Sequence, residues 1–229
     1  MIKGKPFVKW AGGKRQIIAK LKSFIPVDYN TYYEPFVGGG ALLFELSPER
    51  AVINDYNHEL INVYKVLCDE EKFKQMCKVL NAHETNHNEE YYYEIRNKDR
   101  NKKSFNRLAD YTKAARTIYL NKACFNGLYR VNSKNEFNVP FGKKTKVNTY
   151  EGSNLITVSN YLTMNNVTIL SVDFEESVKD AKKETLFILT HRMILIPVVL
   201  QIIPKMDLEK RSKKDLQEYT KNYVREGVM

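Results

Sequence analysis

Apolar and polar positions divide the chain into strand–helix units at both ends and a helix-rich block between them. Ile17, Ile18, Leu21, Phe24 and Ile25 fall on one stripe, which predicts a helix over 13–25. Residues 33–37 and 51–54 are short apolar runs of strand length. From about 57 to 83, Leu60, Ile61, Val63, Tyr64, Val66 and Leu67 predict a long helix. A polar helix is expected over 89–99, and another over 104–122, where Leu108, Ala114, Ala115, Ile118 and Tyr119 recur at helical spacing. After Cys124 the pattern becomes alternating. Residues 125–132 and 137–141 flank Ser133-Lys134-Asn135-Glu136, as in a hairpin or a pair of extended arms. Residues 167–172 have the character of a buried strand that ends at Asp173-Phe174. The expected architecture is an open α/β sheet with an inserted module. Ligands of such sheets bind outside the carboxyl ends of the strands, where Gly38, Gly39, Gly40, Asp55 and Asp173 all fall.

Length and composition narrow the picture further. The 229 residues suffice for one large domain or a domain carrying an insertion, and 43% apolar content supports a sizeable core. A formal net charge of +10, with 15 Tyr and 11 Phe, suits a nucleic-acid partner, although charge alone fits a merely soluble basic protein as well. Cys68, Cys77 and Cys124 are odd in number and lack metal-ligand spacing, so they are taken as reduced thiols of a cytoplasmic protein. His83 and His87 stand one helical turn apart with no third ligand in view. A solvated helix end is favoured over a metal site there. The N-terminus lacks the long apolar core of a signal peptide.

The most informative segment is Glu34-Pro-Phe36-Val-Gly38-Gly39-Gly40-Ala41. Three glycines between a strand and a helix mark a turn where backbone passes close to a ligand, with no Cβ to block it or to forbid positive φ. Fifteen residues after Gly40, Asp55 ends a second strand, a placement suited to ribose hydroxyls. Lys9-Trp10-Ala-Gly-Gly-Lys14 is not a phosphate-gripping P-loop, because the glycine spacing is too short and Arg15 stands where Ser or Thr is needed.

Taken together, Lys9–Lys14, Glu34–Ala41 and Asn54-Asp55-Tyr56-Asn57 resemble the Dam-type (D12 class) adenine-specific DNA methyltransferases. The resemblance covers residues 5 to about 180, and includes Phe125-Asn-Gly-Leu-Tyr-Arg130 and Phe137-Asn-Val-Pro-Phe-Gly142, which look like that family's DNA-reading hairpin. It implies a Rossmann-like methyltransferase fold, with S-adenosylmethionine as methyl donor and an inserted helical and hairpin DNA-recognition domain. The expected divisions are 1–57 and 149–184 for the methyltransferase domain, 58–148 for the insert and 185–229 for an aberrant tail, with the last strands of the sheet missing. Trp10, Lys14, Phe36, the three glycines, Asp55, Asp173 and Phe174 would hold the cofactor. Lys9, Phe125, Asn126, Leu128, Arg130, Asn132 and Pro140 would contact double-stranded DNA, at a GATC-type target.

The hairpin chemistry also makes sense residue by residue. Arg130 carries a planar fork suited to the two acceptors of guanine's major-groove edge. Phe125 is a wedge able to fill the space left by an extruded base. Asn126 suits a phosphate, Leu128 and Pro140 a thymine methyl, and the Lys143–Lys146 patch neutralises backbone charge.

One expected element is absent. The family's chemistry sits in a later Asp-Pro-Pro-Tyr segment at a strand end, and no such tetrapeptide occurs in this chain. Adenine's amine is a weak nucleophile, so a carboxylate and a carbonyl must accept its two hydrogens while an aromatic ring stacks on the flipped base. A strand is due near 184–189, where the chain runs Thr185-Leu-Phe-Ile-Leu-Thr-His-Arg-Met193-Ile194. Back-translation of Leu189–Ile194 as TTG-ACC-CAC-CGT-ATG-ATC, read from the final G of the first codon, yields Asp-Pro-Pro-Tyr-Asp. Wobble letters supply only first positions of the shifted codons, given a CGN codon for Arg192. The stretch through Met206–Glu209 likewise permits Lys-Asp-Gly-Phe-Gly-Lys. The tail from about Thr185 therefore has the form of an out-of-frame reading, and little or no turnover is expected.

Rival readings are a non-catalytic DNA-binding module that keeps the hairpin, and a small-molecule or RNA methyltransferase with the same cofactor pocket. An apolar anchor over 186–203 is disfavoured because His191, Arg192 and Pro197 interrupt it. The expected protein is thus a cytoplasmic, nucleoid-associated monomer without membrane or metal, with a cognate restriction endonuclease as a partner that need not bind it.

Overall fold

The computed structural model describes residues 3–10, 18–23, 25–26, 28–181, 185–191 and 194–199. Its centre is a sheet of strands β1 (Thr31–Glu34), β2 (Arg50–Asn54), β3 (Asn166–Leu170), β4 (Thr185–His191) and β5 (Ile194–Val199), in the order β3-β2-β1-β4-β5. The first four strands by position are mutually parallel, and β5 runs antiparallel to β4. Register sets Tyr33 beside Val52, Tyr32 beside Leu186 and Val52 beside Thr168. Parallel strands are covered on both faces, which is why β1 and β2 read as apolar runs rather than as alternation. This is the Rossmann-like arrangement expected from the sequence. Strand pairing continues past residue 184, through β4 and as far as Val199 in β5.

Helices α1 (Ile18–Lys22) and α2 (Ala41–Leu46) flank the first two strands, and α8 (Gly152–Met164) leads into β3. The block between β2 and α8 holds α3 (His58–Leu67), α4 (Glu70–Thr85), α5 (Glu89–Asn97), α6 (Lys102–Asn106) and α7 (Asp110–Ala123). The single helix expected over 57–83 is two. It breaks at Cys68-Asp69, where the Asp69 side chain accepts from the Lys72 N–H and caps a new helix. Asn57, Asn88 and Asn101 cap α3, α5 and α6 in the same way. The helix expected over 104–122 is likewise split into α6 and α7. Strand β1 is displaced toward the N-terminus relative to 33–37, because Phe36 and Val37 already belong to the glycine turn.

Two apolar clusters follow. The larger joins the sheet to α2, α3, α4, α7 and α8 through Leu43, Phe44, Ile53, Leu60, Tyr64, Leu80, Ile118 and Val158. The smaller lies under the hairpin and gathers Tyr92, Ile95, Tyr119, Leu120, Cys124, Phe137 and Val139. The hairpin itself is a pair of extended arms held by two antiparallel bridges, Cys124 to Phe141 and Val131 to Phe137. Among the described residues, no helix is long and apolar enough to cross a membrane.

Candidate functional site

The glycine turn is built from its backbone. Gly38 and Gly40 have φ of 53° and 74°, in the left-handed region that glycine alone occupies without strain. A Cβ on Gly40 would lie 2.6 Å from Phe44 Cε2 and 2.7 Å from the Tyr64 hydroxyl, and one on Gly38 would lie 2.8 Å from Trp10 Cδ1. Glycine is therefore required here by both conformation and space. The Tyr64 hydroxyl donates to the Gly38 carbonyl at 2.9 Å, and the Gly40 N–H donates to the Val37 carbonyl at 3.0 Å.

Asp55 follows β2 and faces this turn. Its Oδ2 accepts from the Gly38 N–H at 3.1 Å, and its Oδ1 accepts from the Asn57 N–H at 2.9 Å. These two bonds to backbone N–H groups orient the carboxylate against the turn. Asn54 beside it is 2% exposed and ties three strand ends together. Its amide donates to the Pro35 and Val172 carbonyls, each at 3.1 Å, and accepts from the Val172 N–H at 2.9 Å. The sequence reading assigned no role to Asn54 or Tyr64; a polar residue ending an apolar strand was the available signal for the first.

Phe36 and Phe174 meet at 5.8 Å between ring centroids, which brings the start of α9 (Phe174–Val178) to the far side of the turn. Asp173 is exposed and caps that helix, accepting from the Glu175 N–H at 3.1 Å. Trp10 closes the near side. Lys14 lies outside the described residues. Phe36, Gly38–Gly40, Asp55, Trp10 and Phe174 thus gather beyond the carboxyl ends of β1, β2 and β3, around the candidate crevice.

The hairpin begins against this crevice. The Tyr129 ring packs on Trp10 with centroids 4.8 Å apart, and its other side meets Phe137 at 5.5 Å. The Asn57 side chain hydrogen-bonds the Tyr129 hydroxyl, whose pKa burial pushes up to about 12, so it stays protonated and neutral. Phe125 and Leu128 are 52% and 41% exposed, an unusual setting for large apolar side chains. Asn126 between them is exposed and has φ of 54°. The Arg130 guanidinium is exposed but not free to swing: its Nε donates to Asn138 Oδ1 at 2.8 Å. Pro140 is exposed, and its carbonyl accepts from the Phe125 N–H at 3.0 Å. Asn132 is used inside the turn, where Oδ1 accepts from the Lys134 and Glu136 N–H groups and Nδ2 donates to Glu136.

An ion pair buried under the hairpin was not visible in the sequence. Asp99 Oδ2 accepts from Arg116 at 2.8 Å and from the Phe137 N–H at 2.8 Å, and both charged side chains are 6% exposed. Arg116 also donates to the carbonyls of Ile95 and Arg96. The histidines correct another expectation. His83 is buried, not solvated: its ring stacks on Tyr119, and its Nδ1 bonds the Tyr91 hydroxyl at 2.8 Å. His87 bonds the Tyr119 hydroxyl and the Lys144 carbonyl. Burial lowers the pKa of His83 to about 4. Among the described residues, no group of three or more His, Cys, Asp and Glu side chains is placed to hold a metal ion.

Comparison with known proteins follows this geometry closely. The family model of the D12 class N6 adenine-specific DNA methyltransferases matches residues 10–188. The chain belongs to that family. It is 43% identical over 178 residues to a type II methyltransferase, M1.LlaDCHI, of Lactococcus lactis subsp. cremoris, an alignment covering 78% of this chain and 62% of the relative. It is 39% identical over 185 residues to the type II methyltransferase M.MjaIII of Methanocaldococcus jannaschii, covering 75% and 63%. It is 36% identical over 143 residues to a DNA adenine methylase of Haemophilus influenzae, covering 62% and 48%. The chain therefore spans about half to three-fifths of the length of these relatives.

Proposed function

We propose that this chain carries the cofactor-binding and DNA-reading parts of an adenine N6 methyltransferase that uses S-adenosylmethionine and reads a GATC-type target. The observation that supports the reading is the Trp10–Tyr129 contact at 4.8 Å, which joins the surroundings of the glycine turn to the arm that carries the exposed Phe125 and Leu128. The crevice fits such a cofactor. Gly38–Gly40 form a tight left-handed turn, the Asp55 carboxylate is the kind of acceptor ribose hydroxyls need, and Phe36 with Phe174 brings aromatic rings suited to adenine beside it. Bound there, the cofactor supplies an electrophilic methyl group on a sulfonium. Trp10 stands beside Gly38, and the family resemblance assigns Lys14 to the same cofactor.

On the DNA side, Phe125 enters the stack where the target base leaves it, and Arg130 presents two donors to guanine. Lys9 reads a second guanine, while Leu128 and Pro140 meet a thymine methyl. Asn126 faces the DNA backbone with the Lys143–Lys146 patch, while Asn132, whose amide is engaged within the turn, shapes the hairpin instead. The family match stops at residue 188, one residue before the Leu189 codon where the shifted frame would begin. That coincidence supports a chain that binds both ligands but lacks the carboxylate and carbonyl that would accept the amine's hydrogens.

The test is a methyl-transfer assay with labelled S-adenosylmethionine and a GATC duplex, run beside binding measurements. Binding of both ligands with at most trace incorporation is expected, and a frame-restored gene encoding Asp-Pro-Pro-Tyr after Ile188 should regain transfer. Robust incorporation by the chain as it stands would overturn the account of its catalytic segment. Absence of binding to either ligand would overturn the functional reading. A non-catalytic DNA-binding module is the second reading, favoured by the exposure of Phe125 and Leu128; it predicts duplex binding indifferent to the cofactor.

A further inference from the structure

The two DNA-reading elements, Lys9 and the Phe125–Gly127 turn, come from opposite parts of the chain, yet one side chain holds them together. Asn121, on the last turn of α7, is fully buried. Its Oδ1 accepts from the Lys9 N–H at 2.8 Å, and its Nδ2 donates to the Lys9 carbonyl at 2.8 Å and to the Gly127 carbonyl at 3.0 Å. The paired bonds to one peptide backbone fix which way the amide points, because a flipped amide would oppose donor to donor. Lys9 lies in a segment without helix or strand, so these bonds take the place of a sheet ladder there.

The joint is closed from the other side by Gly127, whose φ is 66°. A Cβ on Gly127 would lie 2.6 Å from Lys9 Cδ and 3.2 Å from Lys9 Cβ. Backbone and side chain of Lys9 are thus seated on the turn that carries Phe125 and Asn126. Trp10, the next residue, extends the same seat to Tyr129 and the crevice.

We infer that Asn121 is a positioning residue for target recognition: it fixes the Lys9 ammonium and the Phe125 wedge in one register on the duplex without touching DNA itself. The inference rests on the reading of Lys9 and the turn as DNA contacts. Reading a base edge needs the donor held at a fixed place relative to the other contacts, whereas general phosphate attraction does not. Loss of Asn121 should therefore reduce discrimination between sequences and leave non-specific affinity in place.

The experiment measures duplex binding by fluorescence anisotropy at fixed salt, using a GATC duplex and one with an outer G·C pair replaced by A·T. The wild-type chain should prefer the first by about tenfold or more. Asn121→Ala should reduce that preference to about twofold, with affinity for the second duplex within about threefold and an unchanged salt slope. Gly127→Ala, which presses on Lys9 with Asn121 intact, should do the same. A tenfold preference kept by both variants overturns the inference. A wild-type chain with no preference overturns the DNA reading and the inference with it. Hydrogen exchange of the wild-type chain gives a readout that needs no variant to fold: the Lys9 amide should be protected comparably to amides of α7. Free exchange at Lys9 would also overturn the inference.

Discussion

The crevice and the recognition arm solve the same problem, holding groups still for a ligand, by different means. In the crevice, position comes from the main chain: positive φ at Gly38 and Gly40, and carbonyls and N–H groups tied to Tyr64, Asp55 and Asn54. In the arm, position comes from buried polar side chains that reach across the sequence: Asp99 to Phe137, Arg116 to Asp99, and Asn121 to Lys9. The first device tolerates almost no change of residue type. The second depends on pairs, so each partner is costly to lose alone and cheaper to replace together.

The largest effect that would sharpen this comparison is in the arm. Asp99→Ala leaves the buried Arg116 guanidinium unpaired and the Phe137 N–H without its acceptor, and should cost about 3–5 kcal/mol in urea unfolding. The double variant Asp99→Leu with Arg116→Met should recover the part of that loss due to the uncompensated Arg116 charge, while Arg100 and the Phe137 N–H still lack their carboxylate. Equal losses in single and double variants would show that pairing is not what holds the arm. In the crevice, Gly40→Ala forces a side chain into left-handed backbone and into contact with Phe44 and Tyr64, and should cost about 3 kcal/mol with no available rescue partner. A cost under about 1 kcal/mol would contradict the claim that this turn is set by its glycines.

The difference between the regions also explains what the sequence disclosed. Gly38–Gly40 and Asp55 were legible because few residue types serve at such a turn, and the constraint is local. The Phe125-Asn-Gly-Leu-Tyr-Arg130 run was legible through family resemblance. Asp99 and Arg116 were not, because a charged residue on a helix ordinarily reads as surface, and nothing local says that Phe137, 38 residues away, will bury it. Asn121 was hidden for the same reason, its partner Lys9 lying 112 residues away. The break of α3 from α4 was missed because apolar periodicity outweighed the Asp69 cap.

Smaller tests follow from the same contrast. His83 sits in the arm's tyrosine cluster with its pKa lowered from 6.5 to about 4 by burial, so between those values the unfolded chain binds the proton that the folded chain refuses. Its contribution is fully present above about pH 6.5 and is lost as pH falls toward 4, at about 1.4 kcal/mol per pH unit. Urea midpoints at pH 7.5 and 5.5 should differ in that direction, and His83→Phe should shrink the difference, leaving the part due to His87, whose pKa burial also lowers. Finest of all, Asn138→Ala frees the Arg130 fork that Asn138 holds at 2.8 Å. If Arg130 reads a guanine as proposed, discrimination at that position should drop by about fivefold, with little change in stability.

The most direct test of the central claim is titration of the folded chain with S-adenosylmethionine, followed by heat and by the fluorescence of Trp10, the single tryptophan. Saturable one-to-one binding with a change in Trp10 emission, weakened at least about tenfold by Asp55→Ala, is the predicted result. A demonstrably folded chain that shows neither heat nor a fluorescence change would contradict it.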